Sequence, residues 1–309
     1  MAAPVNLRSN FADLFSSSAL PALEEMFKHR LALHPKIREQ LFNVKRIQGD
    51  IWQASEMTDL QNFIQVPEGT DYTMVRSRSG ANKTLVPLKY GLGFSISEEM
   101  IDDGKFDFIA DLVAKLADSA VDSREQSAMD VFNNAFGSSN SWDGLDLCHT
   151  AHTLPSGLTF RNKPSSDADL SVSSLDAALS DFETQFIRDS GKIAMIKPKV
   201  LLVHSSNRRY AMELIGSELK ADSADNNMNS FMGEGLRVIS SPRLSDSDAW
   251  FLLSAPQETG LQIIERKGVE TKAAGPDAGF INDSIMYKSR YREIIGITHP
   301  YGVYGSSGA

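Results

Sequence analysis

The chain has 309 residues, with 31 Lys or Arg against 40 Asp or Glu and a formal charge of −9 at pH 7. That acidity argues against a broad basic face that grips nucleic acid by neutralising phosphates, and the single cysteine, Cys148, excludes an internal disulfide framework. No apolar run approaches the roughly 20 residues of a membrane span, and the opening MAAPVNLRSNFADLF has no continuous apolar stretch to act as a secretory signal, so a reducing, cytoplasmic setting is expected.

Residues 10–45 form the first predicted element, an amphipathic helical arm in which Leu23, Met26, Phe27 and Leu31 recur at spacings of three and four. Its apolar face needs cover from the body of its own chain or from a neighbour. From Gly49 to Phe94 the pattern changes to short extended runs, IWQAS, NFIQV, DYTMVRS and KTLVPLKYGLGFSI, broken by turn formers at Pro67-Glu68-Gly69 and Ser79-Gly80-Ala81-Asn82. This reads as a long hairpin carrying Arg76, Arg78, Lys83 and Lys89, with no acidic residue between Thr73 and Tyr90. A two-stranded ribbon is marginal alone in water, so a long one is expected to rest on something else. The next segment supplies an acidic partner in Glu98, Glu99, Asp102, Asp103, Asp107 and Asp111, met within this chain or between neighbouring copies. Two solvated charged surfaces are the plainer alternative, since exposed ion pairs contribute only about 0–1 kcal/mol each.

Ser95 followed by Glu98 predicts a capping box for a short lead-in helix. The clearest element follows, Phe106 to Phe136, where Ile109, Leu112, Val113, Leu116, Ala128, Val131 and Phe132 hold a helical stripe without Pro or Gly. At 1.5 Å per residue it runs roughly 45 Å, the length of a strut rather than of a helix inside a small domain. Beyond a loop from Trp142 to Val172 come a helix over Leu175–Ile187, a strand KVLLVH, a helix over Asn207–Glu218, and strands LRVIS and AWFLLS. Then follow GLQIIERKG and a long strand over Ile285–Ile297. The fold class is α+β.

Chemistry-bearing clusters are few. Cys148, His149 and His152 carry metal-ligand side chains, and a metalloenzyme built on them is one reading, but no completing ligand or orienting group stands nearby. Gly91-Leu92-Gly93 lacks the third glycine of a phosphate-binding turn and reads as a bend or bulge. The paired carboxylates are adjacent rather than facing. No catalytic residue, cofactor or metal is expected.

In order along the chain, several strings resemble the tailed-bacteriophage major capsid proteins, especially the Mu-like branch. They are GLGFSISEEMIDD before the long helix, DGLDLCHTAHTLPSG after it, KPKVLLVHSSNRRYAMELI, and LRVISSPRLSDSDAWFLLSAP. The resemblance covers residues 50–300 and implies the shell fold shared by tailed phages and herpesviruses. It maps an N-terminal arm to 1–47, an extended loop lying on a neighbour to 48–94, and a peripheral domain with spine helix to 95–142. An axial domain takes 143–255, the peripheral sheet 256–290, and a C-terminal strand returning to the axial domain 291–309. It implies a non-enzymatic homo-oligomer of hexamers and pentamers around double-stranded DNA, assembled in the bacterial cytoplasm. A scaffold protein, a portal and decoration proteins are the implied partners, with no membrane. An encapsulin-type compartment shell is the alternative within that fold. Some relatives crosslink a loop lysine to an asparagine, which would involve Lys83 or Lys89 and Asn282; this is not carried over, because no catalytic glutamate context accompanies them. The resemblance also leads to the expectation that the scaffold is a separate protein or that this sequence is the mature form. The expected subunit-interface residues are Arg76, Arg78, Lys83, Lys89, Glu98, Glu99, Asp102, Asp103, Asp107 and Asp111.

Overall fold

The computed structural model describes residues 20–57, 62–72, 74, 79–97, 99–100, 103–138, 141–217, 229–273 and 284–309. Two four-stranded sheets and one long helix organise it. The first sheet has the order β1-β10-β11-β4, formed by Asn43–Arg46, Leu261–Ala273, Ser284–Ile297 and Leu88–Ser97. β1 runs parallel to β10, and the other two pairings are antiparallel. The second has the order β12-β9-β7-β8, formed by Val303–Ser306, Trp250–Leu253, Val200–His204 and Arg237–Ser241. β2 (Trp52–Met57) and β3 (Ser79–Leu85) make a separate ribbon, and β5 (His152–Thr153) pairs with β6 (Thr159–Phe160).

Helix α3, Phe106–Asn133, follows α1 (Leu20–Leu33) and the single turn α2 (Arg38–Leu41). Its stripe divides between two cores. Ile109, Val113, Leu116 and Ala117 pack with Leu23 and Phe27 of α1 and with Tyr287 and Ile96 of the first sheet. The C-terminal half, Ala128, Met129 and Phe132, enters a second cluster with Leu261 and Ile263 of β10 and with Val200, Leu202, Phe251 and Leu253 of the second sheet. The arm's apolar face is thus covered by its own chain. The opposite face of the second sheet, Leu201, Val203, Trp250 and Leu252, is closed by helices α4 (Val172–Thr184) and α5 (Arg208–Gly216), through Leu175, Phe182 and Leu214. Burial on both faces is why VLLV and WFLL are continuous apolar runs rather than alternating ones.

Four expectations need correction. The helical arm ends at Leu41, and Asn43–Arg46 is a strand, because pairing with β10 supplies hydrogen bonds that a short NVKR helix would lack. Ser95 lies inside β4, facing Met286 across the sheet, so it caps no helix. The run NFIQV forms no strand; its side chains are largely exposed. Gly91 and Gly93 belong to a regular ladder rather than a bulge. A Cβ on Gly93 would lie 2.9 Å from the Tyr287 carbonyl oxygen, so the strands approach too closely for a side chain.

Candidate functional site

Of the expected interface residues, Arg76, Arg78, Glu98 and Asp102 lie outside the described residues. Lys83 stands on β3, and its ammonium donates to the Ser141 carbonyl at 3.3 Å. Lys89 is exposed on β4, opposite Arg292. The acidic residues lie at the start of α3 and on the turn before it. The Glu99 carboxyl is held below its ordinary range by its own backbone N–H and by the Ser97 hydroxyl. Asp103 pairs with Lys105 at 3.0 Å, Asp111 pairs with Lys115 at 2.9 Å, and Asp107 occupies the first turn. Among the described residues, Asp103 and Asp111 find their lysine partners within their own segment.

The loop after α3 is a structural knot. His152 is fully buried with Nδ1 2.7 Å from Asp143 Oδ2 and Nε2 3.1 Å from Asn162 Oδ1. Asn162 in turn accepts from the His149 N–H at 2.7 Å, donates to the Leu147 carbonyl at 2.7 Å, and gives its own carbonyl to the Gly305 N–H at 3.1 Å. These bonds tie the loop to β12. Burial alone would push the Asp143 carboxyl up, but the adjacent His152 ring and the Leu145 N–H leave it below its usual range. Cys148 is buried, and desolvation pushes its thiol up, away from the thiolate form a nucleophile or metal ligand needs. Among the described residues no three His, Cys, Asp or Glu side chains come together in a metal-holding group. The geometry gives a metalloenzyme reading no support.

Sequence reading missed a charge cluster around two buried carboxylates that joins five elements. Arg124 of α3 donates to Glu293 on β11 at 2.7 Å and to Glu265 on β10 at 2.9 Å. Arg38 of the arm reaches both oxygens of Glu293 at 3.0 Å, and Arg46 of β1 reaches Glu265 at 2.9 Å. Burial raises the Glu265 carboxyl, but Arg46 and Arg124 more than offset this and hold it below its usual range. Nearby, Glu125 is pushed up, by burial first, although it accepts from the Arg38 N–H. The available signal was parity, since Glu293 sits on the same face of β11 as buried Tyr287, Ser289 and Tyr291.

A second missed feature is the exposed apolar surface of the loop between β2 and β3, whose turn at Pro67-Glu68-Gly69 was expected. The turn Pro67–Thr70 is closed by bonds from the Thr70 N–H and hydroxyl to the Pro67 carbonyl, with Gly69 at φ 83°. Around it Phe63, Ile64, Tyr72 and Met74 all point into solvent, Tyr72 at 78% and Met74 at 89% exposure. Large apolar side chains left open along one loop mark a surface built to be covered.

The family model described as phage capsid protein matches residues 82–306. By fold the chain is similar to the capsid of the cyanophage P-SCSP1u, with a TM-score of 0.61, 11% identity, and 89% of this chain and 88% of that one covered. It is also similar to the bacteriophage PhiM1 mature capsid, with a TM-score of 0.56, 14% identity, and 88% and 87% covered. The virus-like particle from Pyrococcus furiosus aligns with a TM-score of 0.55 at 14% identity, over 93% of this chain and 98% of that one. No curated protein matches by sequence. With a family match over most of its length, and with surfaces that one copy leaves open, the chain belongs to the phage capsid protein family.

Proposed function

We propose that this chain is the major shell subunit of a tailed-phage head, assembling through hexamers and pentamers into an icosahedral capsid that encloses double-stranded DNA without reading its sequence. The observation that carries the reading is the family match over residues 82–306 of a chain whose ribbon loop ends in uncovered apolar side chains. The work of such a protein is interface energy rather than turnover. Each contact can be weak because each subunit makes many, and closure of a symmetric shell makes them cooperative. In this reading Lys83 and Lys89 and the acidic Glu99, Asp103 and Asp107 belong to contacts between copies. The Cys148–His152 loop is structural and non-catalytic. Scaffold, portal and decoration proteins are the further partners, and the virion is the final location. The encapsulin-type alternative has no observation of its own in favour.

Electron microscopy of the full chain, expressed with and without a phage scaffold, tests this. Shells or capsomers are expected, and a strictly monomeric protein at high concentration in both preparations would overturn the reading.

A further inference from the structure

Helix α3 packs into one core as far as Ala117 and into the other from Ala128 onward. Between them it carries the small side chains Ser119, Ala120 and Ser123, which face β4 and β11. The sheet withdraws at the same level, because Ser289 stands between Tyr287 and Tyr291 on the face of β11 that meets α3. A cavity of about 270 Å³ results, with buried Leu116 on its inner side and exposed Leu92 and Ser123 at its mouth. Small residues facing one another make a hollow, not a site. What gives this hollow a chemistry is Ser289, which is 4% exposed and whose hydroxyl has no hydrogen-bond partner among the described residues. Its neighbours Lys288 and Arg290 point to the opposite face of the sheet, so Ser289 points at α3. A buried hydroxyl without a partner is a desolvation cost that a bound polar atom would offset.

The rest of the lining defines what that bound molecule must be. Tyr90 and Tyr291 stack with centroids 5.1 Å apart and planes 20° apart, and so present a flat aromatic wall. Leu92, Leu116 and Ala120 add apolar surface. Among the described residues no ionised side chain lines the cavity. Arg124, which lies over the Tyr291 ring, is already held by Glu265 and Glu293. A charged ligand would therefore give up its water with no counter-ion to meet it. A water molecule could reach the hydroxyl but would leave the aromatic wall without a partner. A cavity of about 150 Å³ takes up benzene, so this one has room for a single ring with its substituents. We propose that the cavity is a binding site for a small, neutral ring compound bearing one hydroxyl group, of the phenol class. The ligand hydroxyl donates to Ser289 Oγ, and the ring lies against the Tyr90–Tyr291 wall with Leu116 and Ala120 behind it. The site belongs to the single subunit and stands whether or not copies assemble into a shell.

Ligand-observed NMR titration of the full chain at pH 7 tests it, with p-cresol as the neutral hydroxylated probe, toluene as the ring without a hydroxyl, and benzoate as the anion. Saturable binding of p-cresol is expected, with a dissociation constant of about 1 mM or below. Toluene should bind about fivefold more weakly or worse, for want of the hydrogen bond, and benzoate should not saturate. Ser289→Ala is expected to bring p-cresol down to the affinity of toluene while leaving toluene unchanged. Ser123→Leu places a large side chain at the mouth from an exposed helical position, so it should abolish binding of both probes without lowering the thermal transition. The proposal is overturned if p-cresol does not saturate, if benzoate binds as tightly as p-cresol, or if Ser123→Leu binds as the parent does. It is equally overturned if Ser289→Ala keeps the parent's preference for p-cresol over toluene.

Discussion

Arg124 bridges two buried carboxylates that each have one further arginine. Its guanidinium is 13% exposed while the side chains of Glu265 and Glu293 are 7% and 3% exposed, so removing it leaves Glu293 to Arg38 alone and Glu265 to the more exposed Arg46. Arg124→Met is expected to destabilise the subunit by about 1–3 kcal/mol at neutral pH, measured by denaturant unfolding. The sign of its pH dependence follows from Glu265. A carboxyl depressed in the folded state stabilises above its unfolded pKa of about 4.3, and that contribution is lost as pH falls. The variant keeps the Arg46 bond but loses Arg124's part of that depression, so the gap between parent and Arg124→Met should narrow on acidification. A gap that stays constant from pH 7 to pH 4 would mean that lost packing, not lost ion pairing, is the cause. Beyond the parity of Glu293 on β11, this cluster was not legible beforehand, because Arg38, Arg124, Glu265 and Glu293 span 255 residues of sequence separation and the other three alone resemble ordinary surface charges. The same holds for Asn162, whose role depends on contacts to four other loop or strand segments.

Elements with strong internal periodicity were legible and those defined by distant partners were not. Helix α3 was readable from its stripe, and β7 and β9 from their apolar runs, because burial on one stripe or two faces writes itself into consecutive residues. β1 was not, since its four residues are a strand only because β10, far along the chain, pairs with them. The arm helix α1 was legible as a helix but not in its placement. Besides Leu23 and Phe27, a polar clasp secures it: Arg30 holds Asp118 of α3 through bonds of 2.7 and 2.9 Å, and His34 Nε2 is 2.7 Å from the same carboxylate. The Arg30 bond is the main reason the Asp118 carboxyl is held down to about 2. Its contribution is therefore present above the unfolded value of about 3.9 and is lost as pH falls toward 2. Hydrogen exchange in α1 is expected to rise relative to α3 between pH 4 and pH 2.5, and Asp118→Asn should show the faster exchange already at pH 6. Exchange in α1 that stays slow in that variant would assign the docking to Leu23 and Phe27 alone.

On the scale of the whole molecule, the fold separates surfaces that are finished from surfaces that are not. Both faces of the second sheet are covered, and the first sheet's inner face is covered by Tyr287, Tyr291 and the α3 stripe around the Ser289 cavity. The ribbon loop and the outer face of β4 and β11 stay open, one apolar and acidic, the other cationic and hollow. Reading the hairpin from its residues gathered Lys89 with the other ribbon cations and named the start of α3 as their expected partner. Only the fold reveals that β11 adds Lys288, Arg290 and Arg292 to the same face, turning a local charge run into a groove. Two separate sheets alone would melt in two steps, yet α3 runs unbroken from the core under the first sheet into the core it shares with the second. Neither core can be opened without stripping one half of a helix whose other half is still packed. The free subunit should therefore lose all its structure in one calorimetric transition whose van't Hoff and calorimetric enthalpies agree, and Phe132→Ala, though seated in only one core, should lower that single transition rather than split it.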